Sequence, residues 1–142
     1  MTLFESFKKP QEGAKDAILA PNLSLGGSGA GWSDSGFPLL VKEGVKFESL
    51  RPELYSIFHV ISTVFNSVGK SCVITSANDS KHKFDSKHYI NLALDLRSKH
   101  LLDLMQKQIV LGQLREKLGP KYQVLFENEG TESEHYHLAW LD

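Results

Sequence analysis

Apolar positions fall into regular periods from Leu50 onward and into none before about residue 47. Leu54, Ile57, Phe58, Ile61, Val64 and Val68 recur at the three- and four-residue spacing that lays one stripe along a helix. With Pro52 and Glu53 suited to a first turn and Gly69 to a stop, this predicts a core helix over about 51–68. Val73-Ile74-Thr75-Ser76 reads as a short strand, followed by a polar loop over 77–86. In Asn91–Arg97 the leucines 92, 94 and 96 alternate with Ala93, Asp95 and Arg97, the two-residue period of a strand with one buried face. Leu101, Leu104, Leu111, Leu114 and Leu118 form a second helical stripe, closed by Gly119-Pro120. Strands are predicted over 122–126 and 135–141, separated by a loop rich in carboxylates. This order of elements predicts an α+β domain, a small and mainly antiparallel sheet with helices packed on one side.

The first 47 residues are expected to be an irregular arm, because 24–36 are dominated by glycine and serine. A phosphate-cradling loop is disfavoured there, since no Lys-Ser/Thr follows the glycines. Trp32 and Phe37 suggest that part of the arm docks, on this domain or on a partner chain. A single folded domain is expected over 48–142.

Composition narrows the function classes. At 142 residues the chain suits one domain, and a formal net charge of -1 gives no basic field to draw it onto nucleic acid. The single cysteine, Cys72, sits in an apolar run and reads as a buried, inert thiol. No signal peptide or 18-residue apolar stretch is present, so synthesis in a cytoplasm without membrane insertion is expected.

The candidate chemistry lies in two segments, Ser86–Asp95 and Glu134–His137. His88 and Asp95 are separated by six residues, and His135 or His137 supplies a second imidazole later in the chain. Three such donors would suit zinc and leave a fourth position for water, the arrangement of hydrolytic rather than structural zinc. Strand alternation puts Asp95 away from the leucines and both histidines on one face. Neighbouring strands would bring these groups together. Each segment alone also reads as chance polar residues on an exposed sheet, and the occurrence of both in order favours a metal site.

The pattern Ser-x-His-x6-Asp followed by Glu-His-x-His resembles the zinc D-Ala-D-Ala carboxypeptidases and L-alanyl-D-glutamate endopeptidases, a family that includes phage endolysins. The resemblance covers roughly residues 50–142. It implies His88, Asp95 and His137 as ligands of one zinc per chain, Glu134 as the general base, and His135 as a donor to the developing oxyanion. Asn91 stands where the family usually has glycine, a substitution that left-handed backbone tolerates. The family's upstream arginine for the substrate carboxylate has no clear match. Lys81 and His82 are candidate substrate-binding replacements, Ser86 is read as a turn or ligand-supporting residue, and Arg97 as structural. The implied activity is hydrolysis of an amide bond in peptidoglycan stem peptides, for phage lysis or cell entry, at the cell wall or from within a virion. The alternative is a non-catalytic virion component that retains the fold.

Overall fold

The computed structural model describes residues 16–20, 36–47, 50–77 and 92–141. Six strands form a single mixed sheet: β1 (Asp16–Ala20), β2 (Leu39–Lys42), β3 (Val73–Ser76), β4 (Ala93–Arg97), β5 (Tyr122–Glu127) and β6 (His135–Trp140). Their spatial order is β1-β2-β3-β4-β6-β5, with β2 and β3 parallel and every other pair antiparallel. The helical segments are α1 (Pro52–Tyr55), α2 (Phe58–Asn66) and α3 (Leu104–Leu118). The α+β class and the mainly antiparallel sheet are therefore as expected. None of the described helices is long and apolar enough to cross a membrane.

An irregular arm is not what residues 16–20 and 39–42 form: they are strands of the same sheet as β3 to β6. Leu40 and Val41 pair in register with Val73 and Ile74, so the sheet runs across the expected boundary at residue 47. The period of two is missing from β2 because Leu39, Leu40 and Val41 are all buried, which makes the strand a continuous apolar run. Asn66 secures this region from the helix side, its side-chain amide accepting from the backbone N–H of Phe37 and donating to the Phe37 carbonyl at 3.0 Å. Trp32 lies outside the described residues.

The helix expected over 51–68 is divided. It turns at Ser56-Ile57, and the second piece ends at Asn66, with Gly69 adopting a φ of +77° just beyond. Asp103 caps α3 by accepting from the Gln106 N–H at 2.8 Å, and Gly119 (φ +81°) ends it as its position predicts. Leu101, Leu111, Leu114 and Leu118 are buried as expected, whereas Leu104 is 49% exposed and Val110 takes the inward position.

The main core lies between the helices and one face of the sheet. Leu94, Leu96, Tyr136 and Leu138 pack there with Ile61, Phe65, Val110 and Leu114. The Tyr136 hydroxyl donates to the Lys107 carbonyl of α3 at 2.6 Å, so a buried phenol is satisfied where it lands. Alternation then sends Asp95, Arg97, His135 and His137 to the face away from the helices. A small apolar cluster of Ile18, Leu40 and Val73 supports that second face beneath β1 to β3.

Candidate metal centre

The position of β6 between β4 and β5 assembles the site. On one side of it Asp95 is the Cα partner of His137 and Arg97 that of His135; on the other, Leu125 partners His137 and Glu127 partners His135. Residues directly opposite in an antiparallel pair share a face with neighbouring Cβ atoms, so their side chains meet. Nδ1 of His137 lies 3.0 Å from Oδ1 of Asp95. In the neutral tautomer that carries its proton on Nε2, Nδ1 and Oδ1 are two lone-pair atoms close enough to share one cation, whereas in the other tautomer Nδ1 donates to the carboxylate.

His135 stands beside this pair. Its Nδ1 is 2.6 Å from the Ser133 carbonyl, to which it donates, and its Nε2 is turned to two carboxylates, Glu127 Oε1 at 2.9 Å and Asp95 Oδ1 at 3.7 Å. Thr75 adds a donor at the Asp95 carbonyl, at 3.4 Å. Next to these groups is a cavity of about 400 Å³ whose walls include Lys42, Thr75, Asp95, Arg97, Lys99 and His135. Arg97 is committed within it: its guanidinium makes a two-pronged pair with Asp16 of β1, at 2.5 and 2.9 Å. That agrees with a structural role for Arg97.

Glu134 borders the same cavity but aims its carboxylate elsewhere. It precedes β6 by one residue and so shares the parity of Tyr136, which points to the helices. Oε1 accepts from Ser98 Oγ at 2.5 Å and Lys107 Nζ at 2.9 Å, and Oε2 accepts from the Gly130 N–H at 2.9 Å. Burial pushes its pKa up, but the bonds from Ser98, Gly130 and Lys107 outweigh burial and hold the carboxyl below its ordinary value. A carboxylate so engaged on the opposite face is a poor proton acceptor for a reaction at Asp95 and His137. The structure thus sets Glu134 in the wall of the cavity that Asp95 and His135 line but commits its carboxylate to Ser98, Lys107 and Gly130, as the two-residue period of the strand requires.

His88, Lys81, His82 and Ser86 lie outside the described residues. Among the described residues no group of three or more His, Cys, Asp or Glu side chains is arranged to hold a metal ion. The donor chemistry that is present fits a zinc ion in part: one carboxylate and one imidazole, 3.0 Å apart on adjacent strands, are two ligands of types that zinc accepts.

Glu127 is one of several acids in the carboxylate-rich stretch between the last two strands, and its local sequence does not distinguish it from Glu129 or Glu132. It ends β5, and an antiparallel hairpin joining 122–127 to 135–140 sets it opposite His135. That register was the available signal. Comparison with protein-family models, curated proteins and solved structures gives no match to this chain.

Proposed function

We propose that this chain is a zinc-dependent peptidase that hydrolyses an amide bond in peptidoglycan stem peptides, similar in its site to the D-Ala-D-Ala carboxypeptidases and L-alanyl-D-glutamate endopeptidases. The observation that carries the reading is the cross-strand pair Asp95–His137, with donor atoms 3.0 Å apart on the sheet face away from the helices. In this reading Asp95 and His137 hold the zinc together with His88. Bound there, zinc supplies a water of lowered pKa and polarises the scissile carbonyl. His135, whose Nε2 is 3.7 Å from Asp95, is within reach of an oxygen that gains charge beside the metal. The adjacent cavity gives a peptide room to lie against these groups. Production in a host cytoplasm, followed by release to the cell wall or carriage in a virion, belongs to the same proposal.

A second reading, a non-catalytic virion component that keeps the fold, is favoured by one observation. The carboxylate expected to act as base is engaged on the helix side of the sheet by Ser98, Lys107 and Gly130.

Metal analysis of the purified chain and release of new amino groups from peptidoglycan separate the two. The peptidase reading expects about one zinc per chain and measurable release, both lost in His137→Ala. Zinc-supplemented wild type that releases no more than His137→Ala would leave the structural reading in place.

A further inference from the structure

We propose that Glu127 is the carboxylate that serves this site, as the positioning residue for His135; the assignment deepens the peptidase reading above and rests on it. Three observations on β5 and β6 support it. Glu127 and His135 are direct Cα partners, and Oε1 is 2.9 Å from Nε2. The other ring nitrogen is held by the Ser133 carbonyl at 2.6 Å, so the imidazole is fastened at both ends and its plane is set. The nitrogen that Glu127 holds is the one facing Asp95 at 3.7 Å, so fixing it fixes what His135 presents to the centre.

Packing does not call for this contact. The Glu127 side chain is 40% exposed, and an ion pair at such a position contributes little to folding. Its consequence is local. An imidazole fastened only at Nδ1 swings about that bond, whereas a second partner selects one orientation, as carboxylates do for histidines at metal sites. Glu134 makes no such contact, since both of its oxygens are bonded on the helix side.

The experiment uses the full chain with Glu127→Gln and Glu127→Asp. Long-range proton–nitrogen spectra of the imidazoles are expected to show the His135 ring resonances displaced in Glu127→Gln and close to wild type in Glu127→Asp. Zinc stoichiometry and thermal midpoint should stay at the wild-type level. On peptidoglycan fragments kcat should fall about 10- to 100-fold in Glu127→Gln with KM little changed, and recover in part in Glu127→Asp. Unmoved His135 resonances, or a kcat within about twofold of wild type, would overturn the assignment. A wild type that neither binds zinc nor cleaves overturns the peptidase reading and the catalytic half of this one, while the spectra still decide separately whether Glu127 holds the ring.

Discussion

Across the β4–β6 ladder, Nδ1 of the His137 imidazole lies 3.0 Å from Oδ1 of Asp95. Two donors so close on adjacent strands make metal affinity depend on both. Asp95→Ala and His137→Ala are each expected to reduce bound zinc from about one per chain to a small fraction, as is His88→Ala. Metal analysis after gel filtration reads the stoichiometry, and any of the three that retains it fully is not a ligand.

Glu134 should matter to stability first. It is 5% exposed and is bonded by Lys107, whose ammonium is itself largely buried, so Glu134→Ala leaves an uncompensated charge. A loss of about 3 kcal/mol is expected, read as a lower denaturant midpoint.

The same carboxyl gives a pH dependence of definite sign. Its pKa in the folded chain lies below the ordinary 4.5, so its contribution is complete above that pH and is lost as the pH falls through the folded value. Wild type should therefore lose stability toward acid more steeply than Glu134→Ala in parallel denaturation series.

Arg97 and Asp16 bind the N-terminal strand to the centre of the sheet. Asp16 is 2% exposed, and Arg97→Ala would strand its carboxylate at a cost of about 3–5 kcal/mol. Replacing both, with Asp16→Leu and Arg97→Met, should cost less than the single change. Equal losses would mean that the pair itself, rather than the stranded charge, carries the effect.

Cys72 is fully buried, and burial pushes its thiol pKa well up. In native buffer it should resist alkylation and react at the ordinary rate only once denaturant unfolds the chain, as mass spectrometry of timed aliquots would show.

Much of the fold was legible wherever one face of an element is buried and the other is wet. The strand expected at Val73–Ser76 has those bounds, and β4, β5, β6 and α3 lie within three residues of their expected ends. Strands β1 and β2 depart from expectation because Asp16–Ala20 is apolar at every position after the first and Leu39–Val41 is apolar on both sides, so neither run alternates in polarity. The break at Ser56-Ile57 leaves the apolar stripe unchanged and is set by tertiary packing. At the site, alternation correctly joined Asp95 to the histidines. The same rule excludes Glu134, which is an odd number of residues from His135 and His137's face, and it points to Glu127 once the hairpin register is known.

Because β6 follows β5 in the chain yet lies between β5 and β4, those two strands are joined only through β6. A nascent or truncated chain lacking residues 135–140 would hold Asp95 and Glu127 on separate, unjoined edges. Closing the sheet and gathering the imidazoles beside both carboxylates therefore depend on the same strand.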